Sequence, residues 1–208
     1  MENDEYDYGI SCGRLVATIF IVLCHVANFY NNTTLSQFFN VGVPIFFVIS
    51  GYLYGNKEIH NIKRWLYVRF LRLYIPLLLY VICYLLFSIT IDKAGRTYSI
   101  VMMLLNLQGL NHLITTLPTV NAPWFFTIIM LCYLCIAFIK YFGISEKHIV
   151  IFTCIAYLVT PLVKVDFSGI MAFFIGYLWK KKTPQFVGNK RKMLLSIFVM
   201  FLAIIIRY

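Results

Sequence analysis

SCGRLVATIFIVLCHVANFY, residues 11–30, is an apolar run long enough to cross a membrane, and it carries Arg14 and His25 within it. Eleven residues amount to about 1100° of helical rotation and about 16 Å of rise, so the two side chains share one helix face at different depths. Lipid offers an ionisable group no compensation, so residues of this kind face a protein interior or a watery cavity and point to function. The bland alternative is an anchoring arginine and a hydrogen-bonded histidine.

Working outward, the composition agrees with a membrane location. The chain has 208 residues, of which 61% are hydrophobic and only 12% charged. Such long uncharged runs could not be covered with polar surface in a soluble domain. The tail before the first run is acidic (Glu2, Asp4, Glu5, Asp7), unlike the basic stretch of a secretory signal, so the run is expected to be retained.

Apolar length and the distribution of Lys and Arg predict an all-α, polytopic integral membrane bundle with spans at residues 11–30, 38–55, 72–91, 124–140, 149–163, 167–179 and 193–208. Lys57, Lys63, Arg64, Arg69 and Arg72 precede the third span, and Lys180, Lys181, Lys182, Lys190, Arg191 and Lys192 precede the seventh. Both clusters are expected on the cytoplasmic side, which puts the N-terminus inside and residues 31–37 and 92–123 outside. Residues 99–107 are apolar but too short to cross, and both flanks must lie outside, so a re-entrant or interfacial helix is expected there.

The net charge of +10 then needs no nucleic acid partner, because thirteen of the eighteen Lys and Arg residues fall in the expected cytoplasmic loops. Arg69 and Arg72 stand apart: three residues apart in the expected first turn of the third span, they present two guanidinium groups on one face, a pair suited to phosphate. The six cysteines lie in or beside spans, where a free thiol behaves as a small apolar group. Cys132 and Cys135 form a CxxC without the second ligand pair that a metal site needs, so no metal is expected. His60, His112 and His148 fall in expected loops, the ordinary place for a solvated histidine.

The second run reads FFNVGVPIFFVISGYLYG, residues 38–55. Gly42, Ser50 and Gly51 allow close helix approach, while Pro44 should loosen the early turns. Close packing and the lining of a substrate path are both open for these small residues, and Ser50 and Trp124 are path-lining candidates. The fourth span opens on Asn121-Ala122-Pro123-Trp124, with Pro suited to a helix start and Trp to a membrane interface.

Arg14 with His25, then GVPIFFVISGYLYG at residues 42–55, then Arg69-Phe70-Leu71-Arg72 followed by Pro76, together resemble the acyltransferase-3 family of membrane O-acyltransferases. The APWFF stretch at residues 122–126 is similar to that family's Pro and Trp motif. The resemblance implies transfer of an acyl group, usually acetyl, from cytoplasmic acyl-CoA to a hydroxyl of a glycan, free or lipid-linked, outside the cell membrane. Acyl-CoA would be the donor substrate, with no bound cofactor.

Carried over residue by residue, the resemblance puts the motif histidine on His25 and its arginines on Arg14, Arg69 and Arg72. Arginines suit the CoA phosphates, and a neutral imidazole can take a proton from an attacking hydroxyl or be acylated transiently. The sequence departs from the pattern at Ile129, where many members carry a carboxylate, so Ser50, Asn28 or a tyrosine would have to orient His25. Members also have more spans than the seven read here, which implies a single domain incomplete at its C-terminal side. A rival class is a non-catalytic membrane protein, either a glycan or lipid transporter component or an inactive relative of the enzyme.

Overall fold

The computed structural model describes residues 8–87, 93–110, 124–163 and 168–182, and every regular element among them is helical. The helices are α1 (Tyr8–Phe29), α2 (Thr33–Phe39), α3 (Gly42–Tyr52), α4 (Ile62–Phe87), α5 (Lys93–Leu104), a 3₁₀ turn (Gln108–Leu110), α6 (Trp124–Phe142), α7 (Glu146–Val163) and α8 (Ser168–Lys182). Four stretches are long and apolar enough to cross a membrane: Gly9–Phe29, Thr33–Tyr52, Ile62–Leu86 and Trp124–Phe142. Of the six expected spans that fall at least partly among the described residues, the first four thus have counterparts long and apolar enough to cross. The α8 helix, at 15 residues, rises only about 22 Å, short of a hydrocarbon core of about 30 Å. The seventh expected span, Lys190 to Lys192, His112 and Asn121 to Pro123 lie outside the described residues.

Exposed side chains show why these helices suit lipid. On α1, Leu15, Ile19, Val22, Val26 and Phe29 form one exposed stripe, and on α4 Ile75, Leu79, Ile82 and Leu86 form another. Stripes at this spacing would be a liability in water and are the expected outer face of a helix in a bilayer.

The second span is built differently from the expected continuous run. The Asn32 side chain accepts from the Leu35 N–H at 3.1 Å, starting α2 within the expected outer loop. Continuity fails at Asn40-Val41 because Pro44 has no N–H for the Asn40 carbonyl, which instead accepts from Val43 at 3.2 Å. Pro44 then sits in the first turn of α3, where a missing donor costs nothing.

The helices gather into two compact units, one containing α1, α2, α3 and α8 from Ile175 onward, the other α4 to α7 with α8 up to Phe174. In the first, glycines set the helix spacing. A Cβ at Gly42 would lie 2.7 Å from the Ala17 carbonyl oxygen and 2.8 Å from Phe20 Cβ, and one at Gly176 would collide with the Val48 carbonyl oxygen. Of the two roles left open for Gly42, close packing is the one this contact supports. Gly42→Leu and Gly176→Leu are each expected to destabilise by at least about 1–3 kcal/mol, because backbone must move to admit the side chain. Thermal unfolding of detergent-solubilised protein checks this against Leu86→Ile on the exposed stripe, which should be near neutral.

In the second unit, Leu77, Val81 and Met103 make a core that Tyr74, Tyr84, Ile100 and Phe126 pack against. The Tyr74 hydroxyl donates to the Leu104 carbonyl at 3.0 Å, which brings the end of α5 level with the middle of α4. The short helix expected at residues 99–107 is therefore present, starting earlier, at Lys93, and running back along the later half of a candidate span. Trp65, Tyr133 and Phe173 stack edge to face across α4, α6 and α8, with centroids 5.8 and 6.2 Å apart.

Candidate functional site

The first unit holds Arg14 and His25 on α1, and the register of α1 against α3 defines what surrounds each. Ile49 meets Gly13 and Gly42 meets Ala17, Phe20 and Ile21, so the helices run antiparallel. At about 100° per residue, Gly13, Ala17 and Phe20 mark the packed face of α1 and Leu15, Val22 and Val26 its lipid stripe. Arg14 and His25 lie within about 20° of each other between these two faces, along one flank of the seam. The shared face read from their spacing is what the helix provides.

Arg14 is half-buried, with its guanidinium carbon 5.6 Å from the centroid of the Phe46 ring. The arrangement lets the cation enter an apolar region beside an aromatic face. Sequence reasoning missed Phe46, because only the α1–α3 register identifies which side chain meets Arg14; Gly42, as the point of close approach, was the available signal.

His25 is exposed and lines an open depression of about 440 Å³ with Val22, Val26, Phe29 and Tyr30. The antiparallel register separates Ser50 from it. Ser50 follows Ile49, at the level of Gly13, and twelve residues of α1 separate Gly13 from His25, about 18 Å. Of the three groups expected to orient His25, Ser50 is thus too far. Tyr30 shares the depression and Asn28 follows one turn later on α1. Opposite this part of α1 is α2, where Ser36 Oγ and Cys24 Sγ approach to 3.5 Å.

The second unit holds Arg69 and Arg72 on α4. The helix begins at Ile62, so the arginines are two to three turns in, about 10 and 15 Å along the axis, rather than in the first turn. The spacing nonetheless puts Trp65, Arg69 and Arg72 on one face, Arg69 half-buried and Arg72 exposed. Pro76 continues the helix but cannot donate to the Arg72 carbonyl.

Trp124 begins α6 as expected and is half-buried, its carbonyl oxygen 3.0 Å from where a Cβ at Gly109 would stand. Ile129, the position where the sequence departs from the acidic pattern, is buried at 1% exposure. Beside Trp124 is a polar junction not foreseen in the sequence. Gln108 Nε2 donates to the Ser99 carbonyl at 3.0 Å, Gly109 N to Thr127 Oγ1 at 3.0 Å, and Asn106 Nδ2 to the Phe126 carbonyl at 3.3 Å. The last two bonds tie the backbone after α5, including the 3₁₀ turn, to the start of α6, and the first ties that turn back to α5, where backbone outside regular α-helix beside a span must be satisfied by protein.

The structure therefore gathers the four expected cationic and imidazole groups as two pairs, Arg14 with His25 and Arg69 with Arg72, one in each unit. Comparison with protein families finds that the acyltransferase-3 model, an acyltransferase domain, matches residues 7–208. No curated protein and no solved structure matches the chain.

Proposed function

The chain belongs to the acyltransferase-3 family of membrane acyltransferases, and on that premise we propose that it moves an acyl group, acetyl, from cytoplasmic acyl-CoA to a hydroxyl of an extracytoplasmic glycan or lipid-linked glycan. The supporting observation is the shared flank of α1, on which Arg14 and His25 are separated by about 16 Å along the helix. In this reading the N-terminus is cytoplasmic and the multi-pass bundle sits in the cell membrane. On α1, Arg14 then serves the anionic nucleotide end of the donor and His25 its thioester end; on α4, the Arg69–Arg72 face is by itself a pair suited to phosphate.

The chemistry asked of His25 is proton transfer. Its neutral ring takes the proton from the acceptor hydroxyl as that oxygen attacks the thioester carbonyl; the C–S bond breaks and the thiolate leaves with CoA, taking up the proton. The depression around His25 is open, which suits an acceptor larger than the donor's acyl group.

Membranes containing the protein and supplied with radiolabelled acetyl-CoA should pass label to glycan. Correctly inserted protein that moves no label would favour the non-catalytic reading. A matching result in cells is loss of ester-linked acetyl from surface polysaccharide when the protein is removed.

A further inference from the structure

From Ser11 onward, the residues of α1 that carry a hydroxyl, amide, imidazole or guanidinium group are Ser11, Arg14, Thr18, His25 and Asn28. Every other position from Cys12 to Phe29 is glycine, apolar or a thiol. At about 100° per residue, all of the polar positions fall within an arc of about 100°, although they extend over about 26 Å of helix. A polar stripe of that length is costly against lipid and marks a face turned to a polar partner.

Thr18 lies on this stripe between the two groups already assigned. It comes about 6 Å after Arg14 and about 10 Å before His25, and within about 40° of each around the axis. Its hydroxyl donates to the Arg14 carbonyl at 2.8 Å, the ordinary refuge of a hydroxyl in a membrane helix. Thr153 makes the same bond, to the Ile149 carbonyl at 2.7 Å, from a buried position on α7. Thr18 makes it on the exposed flank that joins Arg14 to His25. With its one proton committed to the Arg14 carbonyl, Thr18 Oγ1 is left as an acceptor on that flank.

We propose that Thr18 Oγ1 accepts a hydrogen bond from an amide N–H of the acyl-CoA donor, holding the uncharged arm along α1 between its anionic end at Arg14 and its thioester at His25. This rests on the donor assignment made above. The middle of the stripe is where that arm has to pass, and its amide N–H groups are donors matched to an oxygen that can only accept. Thr18 becomes a donor-binding residue, separate from the charge supplied by Arg14 and from the proton transfer assigned to His25.

The test uses the full chain in lipid nanodiscs with acetyl-CoA as probe, comparing wild type with Thr18→Val and Thr18→Ser. Thr18→Val exchanges the hydroxyl for a methyl group of similar shape, and the Arg14 carbonyl keeps its backbone bond within the helix, so the donor-free melting temperature should match wild type. Its acetyl-CoA affinity should fall about three- to tenfold, the worth of one neutral hydrogen bond, while Thr18→Ser, which keeps the oxygen, should bind as wild type does. Unchanged affinity in Thr18→Val would overturn the assignment. So would a loss of affinity accompanied by a lowered donor-free melting temperature, which marks damage to the helix, or an equal loss in Thr18→Ser, which marks the methyl group instead of the oxygen. Wild type that binds no acetyl-CoA would overturn the donor reading itself, and this inference with it.

Discussion

His25→Ala is expected to lower acyl transfer by about 10²–10⁴-fold, the usual worth of a positioned general base, while membrane insertion and donor affinity persist. Insertion should survive because His25 is exposed on α1 and packs no core position. The packed face of α1 is made instead by Ala17 and the residues against Gly42. A second comparison separates a base from a polar spacer. His25→Gln keeps hydrogen-bonding capacity but cannot accept and release a proton near neutral pH, so it should be as inactive as the alanine variant. Transfer retained in either variant would refute the assignment. Tyr30→Phe provides a graded companion: if Tyr30 orients the ring, its loss should lower kcat with little change in the KM for donor.

That prediction depends on features of unequal legibility in the sequence. The common face of Arg14 and His25 follows from helical periodicity alone, as does the Arg69–Arg72 face, since both need only local geometry. What escapes such reading is tertiary. Composition suggests that Pro44 loosens a span, whereas it divides one into α2 and α3, because the carbonyl deprived of a donor belongs to Asn40 four residues earlier. Ser50 is a plausible partner for His25 on chemistry, yet an antiparallel register puts it at the Arg14 end of α1. Lys63 and Arg64 make the start of α4 look like loop; hydropathy marks where lipid begins, not where a helix does. In α4 the Asn61 side chain accepts from the Arg64 N–H at 2.9 Å, a cap that begins the helix before its apolar part. The bonds from Asn106 to Phe126 and from Gly109 to Thr127 join residues about twenty apart through side chains that no periodicity announces.

The position of the arginines within α4 sharpens what the pair should do. Two to three turns into a helix, Arg69 and Arg72 are fixed in direction by the backbone, unlike cations in a flexible loop, and their forks suit two oxygens of a phosphate. Arg72→Ala is expected to raise the KM for acetyl-CoA about 10- to 100-fold with kcat nearly unchanged, as for loss of a charge-assisted bond made equally in ground and transition states. Arg72 is exposed, so its truncation leaves no hole, whereas Arg69 is half-buried and Arg69→Lys is the milder probe of the same role. Arg72→Lys should recover only part of the loss, since an ammonium keeps the charge but not the two-pronged geometry. Acetyl-dephospho-CoA, which lacks the 3′-phosphate, identifies the oxygens concerned. If the pair holds that phosphate, wild type should bind this donor as weakly as Arg72→Ala binds acetyl-CoA, and the mutation should add no further penalty. If the pair holds the diphosphate, the two losses should multiply. An Arg72→Ala enzyme whose donor KM matches wild type would refute a donor-binding role for the α4 pair.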